Sequence, residues 1–283
     1  MAGILYIVGT PIGNLGDISP RALETLETVD FIAAEDTRVT LKLLNHFGIK
    51  KPMVSYFEHN KHERGEIICQ RILNGENCAI VTDAGMPCIS DPGEMLVKQC
   101  VEYNIQTCAV PGPSAVISAL AISGLPTGRF TFEGFLSVNK KSRREHLEEV
   151  KNEKRTMIFY EAPHKLLATL KDMLAVFGDR RISIVRELTK VHEEVIPTTL
   201  EKAVISCTEN PLKGEIVLVI EGAKVENTKE EYTIDDAVQM SLTMADDEGI
   251  SLSEATKRVA KLTGIKKGII YKTVTERDEN NEL

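Results

Sequence analysis

The sequence predicts an α/β protein with two sheet-containing domains and a small helical domain after them. Over roughly the first 120 residues, short apolar runs alternate with amphipathic stretches, which is typical of a mostly parallel sheet covered by helices. A second group of apolar runs follows a Gly- and Pro-rich break and indicates another, mixed sheet. The last ~50 residues show only the helical period.

The first domain is predicted over residues 1–122. Ser19 followed by Pro20 is typical of a helix N-cap and the first helical position, and Gly48 ends another predicted helix. The apolar runs predicted as strands of this domain are 4–8, 30–34, 53–56, 78–82 and 106–110.

The second domain is predicted over residues 123–225, beginning at the Gly- and Pro-rich segment SGLPTGRF. Helices are expected between several of its strands, near 141–152, 164–177 and 199–207. The apolar runs predicted as strands are 130–136, 155–160, 181–185, 193–200 and 215–222.

A helical domain is predicted over residues 233–283, after a charged and polar linker that follows Gly222. A helix, a glycine turn and a second helix in this order resemble a helix-turn-helix unit, and a two-helix lid is an equally open interpretation. The apolar face of each helix is predicted from its period: Ala255, Val259 and Leu262 before the turn at Gly264, and Ile265, Ile269 and Val274 after it.

Composition and charge narrow the function classes. A net charge of −8 argues against a general nucleic-acid coat protein but leaves room for a local basic patch. No apolar run approaches the ~20 residues of a membrane helix, and the first residues, MAGILYIVGTPIGN, lack the basic start of a signal peptide. The six cysteines contain no CxxC pair, which is typical of reduced thiols. We therefore expect a cytoplasmic protein without a membrane partner.

Three Gly- and Pro-rich loops follow predicted strands of the first domain, at the edge where open α/β sheets bind ligands: VGTPIGNLGD (8–17), TDAGMPCISDPG (82–93) and VPGPSAV (110–116). None has the spacing of a dinucleotide loop or the lysine of a P-loop, and Pro11 lacks the N–H that a pyrophosphate needs. Two aspartates in the second loop would repel a triphosphate. A phosphate-free adenosine cofactor with a positive centre, such as S-adenosylmethionine, fits these loops. Ordinary turns between strands and helices are the alternative.

Six ordered motifs carry a resemblance to a known family: VGTPIGNLGD, AEDTR (34–38), TDAGMPCISDPG, VPGPSA, FYEAPH (159–164) and RELTKVHEE (186–194). Together they resemble the bacterial 16S ribosomal RNA (cytidine-2′-O)-methyltransferases of the tetrapyrrole methylase superfamily, from about Ile4 to Gly222. The resemblance implies two α/β domains of the tetrapyrrole methylase type with an S-adenosylmethionine cleft between them, a small C-terminal helical domain, and a homodimer. It implies as substrate a cytidine ribose in the decoding centre of 16S rRNA, within the small ribosomal subunit.

The resemblance also implies the cofactor site, with Pro11 and its glycines on the floor of the cleft. The other residues expected to contact the cofactor are Asp83, Ala84, Gly85, Ser114, Ala115, Tyr160 and Glu161. The porphyrin-modifying branch usually carries GxGxGDP and GGDPxxF, where this chain has GTPIGNLGD and DAGMPCISDPG. That difference favours rRNA over a tetrapyrrole or other small-molecule acceptor. A non-enzymatic RNA-binding assembly factor is a third, less favoured class.

A ribose hydroxyl is a weak nucleophile, so a carboxylate that accepts or orients its proton would help. Asp36 and Glu187 are the candidates, with a helix cap and a surface ion-pair set as their respective structural alternatives. His59 and His62 lack a third ligand at suitable spacing, so we expect no metal site. The cations expected to contact RNA, unless they only solvate helix faces, are Arg38, Lys140, Lys141, Arg143, Arg144, Lys190, Lys266 and Lys267.

Overall fold

The computed structural model describes residues 1–224 and 232–281, and of residues 277–281 only the backbone. The chain forms two compact units, Met1–Ala223 and Lys224–Leu283. Every strand expected from the sequence is present, and the α/β fold class is confirmed. The division of the first unit at residues 122 and 123 stays a prediction, and most of the predicted linker lies outside the described residues. No described helix is long and apolar enough to cross a membrane.

The first sheet is fully parallel, with the order β3-β2-β4-β1-β5. Its inner strands are apolar throughout because helices cover both faces. The strands are β1 (Ile4–Val8), β2 (Phe31–Ala34), β3 (Met53–Ser55), β4 (Cys78–Val81) and β5 (Gln106–Val110). The helices are α1 (Pro20–Thr28), α2 (Thr37–His46), α3 (Lys61–Leu73), α4 (Gly93–Glu102) and α5 (Ala115–Ile122), with a short 3₁₀ turn at Leu15–Asp17.

The second sheet is mixed, with the order β6-β7-β10-β8-β9. β6 and β7 are parallel, and the other neighbours are antiparallel. The strands are β6 (Phe130–Phe135), β7 (Thr156–Glu161), β8 (Arg181–Arg186), β9 (Glu194–Thr199) and β10 (Ile216–Ile220), and the helices are α6 (Lys140–Glu149), α7 (Leu166–Phe177) and α8 (Leu200–Glu209).

The two faces of the second sheet pack against different partners. One face, which includes Phe159 and Leu218, forms a core with α6, α7 and α8. The other face, which includes Val217 and Val219, packs against Val116 and Leu120 of α5, a helix that follows the first sheet. This alternation of buried side chains along β10 joins the two sheets through α5, and it brings loops of both sheets to one place.

The helical unit contains α9 (Ile234–Glu248), α10 (Leu252–Thr263) and α11 (Lys267–Asn281). A capping box between Thr233 and Asp236 begins α9, and left-handed glycines at 249 and 264 end α9 and α10. Its core is formed by Ala237, Val238, Val259, Ile270 and Val274.

Two of the predicted apolar positions in the helical unit were wrong. Leu262 is 63% exposed because the buried face of α10 ends one turn earlier, at Val259. Ile269 is 45% exposed, and Ile270 is buried in its place. Ile270 and Val274 are four residues apart and therefore share a helix face, whereas residues five apart do not.

Candidate active site

A cavity of about 460 Å³ lies at the carboxyl ends of β1, β4 and β5, with residues of the second sheet as its opposite wall. This volume is within the roughly 300–1,000 Å³ of small-molecule sites, and the place is where parallel sheets bind ligands. We call it the first cavity. Its lining is Ile12, Glu35, Thr82, Asp83, Ala84, Gly85, Met86, Ile89, Ser90, Asp91, Ser114, Ala115, Phe135, Tyr160, Glu161, Ala162, Pro163, Val185, Leu188, Glu215, Ile216 and Val217.

The structure brings together all the residues expected to contact the cofactor except Pro11. Residues of the loop after β1 alternate between two spaces: Ile12 lines the first cavity, whereas Pro11 and Gly13 line a neighbouring one. Ile12 lines the first cavity and Pro11 the neighbouring one, so the place of Pro11 on the cofactor floor stays a prediction.

Hydrogen bonds tie the loop after β1 to the loop after β4. The Thr10 N–H donates to the Gly85 carbonyl at 2.9 Å, and the Gly85 N–H donates to the Thr10 carbonyl at 3.1 Å. The Thr10 hydroxyl also donates to the Thr82 carbonyl at 3.2 Å. Thr10 is 2% exposed, so these bonds fix the start of the β4 loop against the first sheet.

Glycines permit the loops after β1 and β5 to cross. A Cβ added to Gly9 would lie 2.7 Å from the Cα of Gly112, and one added to Gly112 would lie 2.8 Å from the Cα of Gly9. No side chain fits at either position, so these two glycines serve close backbone approach.

The loop after β4 is held in a strained shape. Cys88 and Ser90 have φ angles of 71° and 62°, which side-chain-bearing residues rarely adopt. Asp91 stabilises the turn, because one carboxylate oxygen accepts from the Gly93 N–H at 2.7 Å and the other from the Ile89 N–H at 3.3 Å. Burial nevertheless raises the pKa of Asp91 above its ordinary value. The loop is thus a fixed wall with an acidic group.

The second sheet contributes an aromatic wall and a buried carboxylate. The Tyr160 ring lies 5.0 Å from Phe132, edge to face, and 5.3 Å from Phe135, measured between centroids. Glu161 is 3% exposed and is satisfied within its own segment: it accepts from the Ala162 N–H at 2.8 Å and the Thr169 hydroxyl, and it pairs with Lys165 at 3.2 Å. Tyr160 therefore presents a contact surface, while Glu161 mainly fixes the start of α7.

The first cavity is acidic. Its lining contains the carboxylates of Glu35, Asp83, Asp91, Glu161 and Glu215, and within the described part of the chain no Lys, Arg or His side chain lines it. Burial, together with repulsion from Glu35, raises the pKa of Asp83 above its usual value. Such a site favours a cationic ligand and disfavours a phosphate.

A second cavity of about 350 Å³ adjoins the first, and the two share Thr82 and Asp83. Unlike the first, it contains cationic or titratable nitrogen groups, on Lys42 and His46 of α2. Its lining is Thr10, Pro11, Gly13, Leu15, Val39, Thr40, Lys42, Leu43, His46, Thr82 and Asp83.

The structure places Asp36 as the N-cap of α2. One of its oxygens accepts from the Arg38 N–H at 2.8 Å, and the Arg38 guanidinium lies 2.6 Å from the other. Hydrogen bonds from Arg38 lower the pKa of Asp36 to about 2. Asp36 lines neither cavity. A weakly basic carboxylate that already holds a guanidinium is a poor proton acceptor.

Glu187 is engaged in a turn after β8. Its φ is 52°, and its carboxylate accepts from the Glu215 N–H at 2.9 Å and from Lys190 Nζ at 3.0 Å. These hydrogen bonds, the Glu215 N–H first, lower the pKa of Glu187. A Cβ on Gly214 would lie 2.4 Å from a Glu187 oxygen, so the carboxylate is packed against the backbone. Glu187 also lines neither cavity.

The expectation for Arg143 is corrected. This side chain is buried, with its guanidinium 2.6 Å from Asp172 and donating to the carbonyls of Ser137 and Val138. It therefore stabilises the start of α6 and does not face solvent. Arg144 also pairs with Asp172, at 2.9 Å, but its side chain is 50% exposed.

The other cations expected to contact RNA lie on several different elements of the two units. Lys140 and Lys141 are exposed at the start of α6, and the Arg38 side chain is 87% exposed in the first turn of α2. Lys190 is partly buried between Glu187 and Glu215. In the helical unit, Lys266 is exposed and Lys267 donates to the Ser253 hydroxyl at 2.9 Å.

Sequence reasoning missed several residues of the two cavities. Glu35 follows β2 directly and lies within the AEDTR motif, so the rule that ligands bind at carboxyl ends of strands could have found it. Lys42, His46 and Phe135 carried no such signal, because only the fold brings them to the cavities. Among the described residues, no group of three or more His, Cys, Asp or Glu side chains is suited to a metal ion.

The family model of the Tetrapyrrole (Corrin/Porphyrin) Methylases matches residues 4–204 of this chain. The chain belongs to the tetrapyrrole methylase family. A protein from Synechocystis sp. named Ribosomal RNA small subunit methyltransferase I is 47% identical over 97% of this chain and 98% of its own length. A protein of the same name from Escherichia coli O157:H7 is 44% identical over 97% and 96%.

Solved structures agree with this tetrapyrrole methylase fold. A uroporphyrin-III-C-methyltransferase from Thermus thermophilus matches with a TM-score of 0.55 and 17% identity, over 77% of this chain and 94% of that one. A diphthine synthase matches with a TM-score of 0.56 and 14% identity, over 77% and 90%. At these identities the likeness is one of fold.

Tetrapyrrole methylases use S-adenosylmethionine, which confirms the cofactor expected from the sequence. The first cavity fits it: the acidic lining suits a sulfonium, and since no described Lys, Arg or His side chain lines the cavity, it suits a ligand without phosphates. Apolar and aromatic side chains such as Tyr160, Met86 and Val217 suit a purine. The residues expected to hold it are Asp83, Ala84, Gly85, Ser114, Ala115 and Tyr160.

Proposed function

We propose that this chain transfers a methyl group from S-adenosylmethionine to the 2′-hydroxyl of a cytidine in the decoding centre of 16S rRNA, within the small ribosomal subunit. The observation that carries the proposal is the near-full-length identity, at 44–47%, to proteins named Ribosomal RNA small subunit methyltransferase I. The acidic first cavity, which suits a cationic methyl donor, supports the same reaction type.

The chain's main contribution to the reaction is position. The bound cofactor supplies a methyl group on a positively charged sulfur. The tied loops after β1 and β4 and the Tyr160 wall would hold the two reactants in one orientation, and positioning of this kind can supply roughly 7–11 kcal/mol. The carboxylates of the first cavity would oppose phosphate-containing competitors.

The rRNA would be held by local cations, since the chain is acidic as a whole. Lys140, Lys141 and Arg144 at α6 are exposed enough to meet phosphates, while Arg143 is not. Arg38, Lys190, Lys266 and Lys267 stay further proposed contacts. A homodimer, as the sequence resemblance implies, would double this surface. We place the reaction in the cytoplasm, where ribosomal subunits are found.

The test is a methyl-transfer assay with labelled S-adenosylmethionine and small ribosomal subunits from a strain that lacks this gene. Nuclease digestion and nucleoside mass spectrometry would then identify the product. We expect label in 2′-O-methylcytidine. Label in a methylated base would correct the acceptor atom. Absence of label, while calorimetry shows cofactor binding, would contradict the rRNA substrate and direct the assay to tetrapyrrole precursors.

A further inference from the structure

The two cavities share part of one wall. Thr82 and Asp83 line both spaces, and the loop after β1 sends Ile12 to one side and Pro11 to the other. The Thr10–Gly85 hydrogen bonds fix this wall. A group bound in the second cavity would therefore lie beside a group bound in the first, with Asp83 between them.

The second cavity has the chemistry of a nucleotide site. Leu15, Val39 and Leu43 provide apolar surface on which a base can stack. Lys42 provides a cationic group for a phosphate and His46 provides ring nitrogens for hydrogen bonds, whereas no described Lys, Arg or His side chain lines the first cavity. Its volume of about 350 Å³ suits one nucleotide withdrawn from its neighbours, as enzymes that modify single nucleotides require.

Asp83 offers an accessible carboxylate at this wall. Asp83 is exposed, and in the described part of the chain its carboxylate forms no ion pair. One oxygen accepts from the Asp36 N–H at 3.2 Å, while Glu35 accepts from the Asp83 N–H at 3.4 Å and from the Thr82 hydroxyl at 2.5 Å. The charged groups around it are Glu35, Asp36 and Arg38. Unlike Asp36 and Glu187, Asp83 has a raised pKa, which makes it the better proton acceptor.

We propose that the second cavity receives the acceptor nucleotide and that Asp83 accepts the proton of its ribose hydroxyl. This inference rests on the proposed function and adds to it the acceptor site and the base. The ribose oxygen forms a bond to the methyl carbon as the carbon–sulfur bond breaks. The electron pair of that bond stays on sulfur, which becomes a neutral thioether, and the hydroxyl proton passes to the Asp83 carboxylate and then to water.

The test compares Asp83→Asn with wild type in single-turnover methyl transfer to small subunits, beside calorimetry of S-adenosylmethionine. We expect transfer at saturating S-adenosylmethionine to slow by about 10²-fold or more, the usual contribution of a proton acceptor. Because Asp83 is also among the residues expected to hold the cofactor, calorimetry sets the cofactor concentration that saturates each variant. The matched control is Asp17→Asn, an exposed aspartate of the loop after β1 that lines neither cavity and should transfer at the wild-type rate.

A second variant tests the nucleotide site separately. Lys42→Ala should raise the KM for subunits by about tenfold, the value of one lost charge contact, with cofactor binding unchanged. A wild-type rate in Asp83→Asn, with rRNA methylation by the wild type intact, would overturn the assignment of Asp83 alone. An unchanged KM in Lys42→Ala would overturn the second cavity as the acceptor site. Failure of the wild type to methylate subunits would overturn the proposed function, and this inference with it.

Discussion

The loop after β4 and the turn after β8 share two features and differ in what they do. Each contains a carboxylate that chemistry could use, and each holds non-glycine residues at positive φ. In the turn, the Glu187 carboxylate accepts hydrogen bonds from Lys190 and from the Glu215 N–H, and these bonds lower its pKa. In the loop, Asp83 faces two cavities and its pKa is raised. The difference shows that a sequence motif indicates which segment lies near a site. Whether a side chain of that segment can act there depends on whether the fold leaves it without an ion pair.

The same contrast occurs among the cations that begin α6. The Arg143 guanidinium pairs with Asp172 and donates to two backbone carbonyls, whereas Lys140 and Lys141 face solvent. Substitution of a charged side chain that is already paired within the fold should lower the free energy of unfolding. One that faces a cavity or solvent should affect function.

The largest stability effect is expected for Arg143→Ala. Removal of one partner of a buried ion pair leaves the other without compensation, at a cost of about 3–5 kcal/mol. We expect about 3 kcal/mol, because Arg144 still reaches Asp172. Urea unfolding would measure it, with Lys140→Ala as the control that changes stability by less than about 0.5 kcal/mol. Equal stability of the two variants would break the contrast at α6.

The turn after β8 should respond next, to Gly214→Ala. Its φ is +90°, and a Cβ there would lie 2.4 Å from the Glu187 carboxylate, so strain and overlap should cost about 2 kcal/mol. Gly124→Ala separates the two costs, because Gly124 has φ +71° but open space around it. The double variant Gly214→Ala with Glu187→Ala should recover part of the lost free energy of unfolding. If it recovers none, overlap with the Glu187 carboxylate is not the cause of the loss.

A smaller effect, dependent on pH, should distinguish the two carboxylates. Because the folded-state pKa of Glu187 is lowered, its charge stabilises the fold above the ordinary glutamate pKa of about 4.3, and this is lost as pH falls. Glu187→Gln should therefore cost about 0.5–1 kcal/mol at pH ~7 and almost nothing at pH ~3.

Asp83 should show the opposite sign. Because its folded-state pKa is raised, its charge opposes folding at neutral pH, and that opposition disappears in acid. Asp83→Asn should leave the free energy of unfolding unchanged or slightly raised at pH ~7, as at many functional sites. Urea midpoints at the two pH values would compare the variants, and destabilisation by both would remove the distinction.

The smallest effect is expected for the solvent-facing pair at α6. Reversal of Lys140 and Lys141 to Glu should weaken methyl transfer to subunits and reduce its dependence on salt, since each lost phosphate contact lowers the slope by about 0.7–0.9. Cofactor binding and the unfolding midpoint should stay at wild-type values. An unchanged KM for subunits over a range of salt concentrations would show that this end of α6 does not meet RNA.

The sequence predicted all ten strands because each is a short apolar run between turn residues. It also predicted the loops at the carboxyl edge of the first sheet, because parallel topology brings such loops together. The burial of Arg143 was not predicted, since a basic run does not show which of its members turns inward. Leu147, four residues later and fully buried, was the available signal. The second cavity was not predicted because only the fold brings Pro11, His46 and Asp83 together.

The two-cavity account is tested most directly by filling each cavity with the same side chain. Ala84 and Val39 are both exposed residues that line the first and the second cavity, respectively. For Ala84→Trp and Val39→Trp, calorimetry would measure S-adenosylmethionine binding, and the labelled assay would measure methyl transfer to small subunits.

We predict that Ala84→Trp loses cofactor binding and transfer together, whereas Val39→Trp binds the cofactor as wild type does and loses transfer. Loss of cofactor binding in Val39→Trp, or its retention in Ala84→Trp, would contradict the assignment of the two cavities.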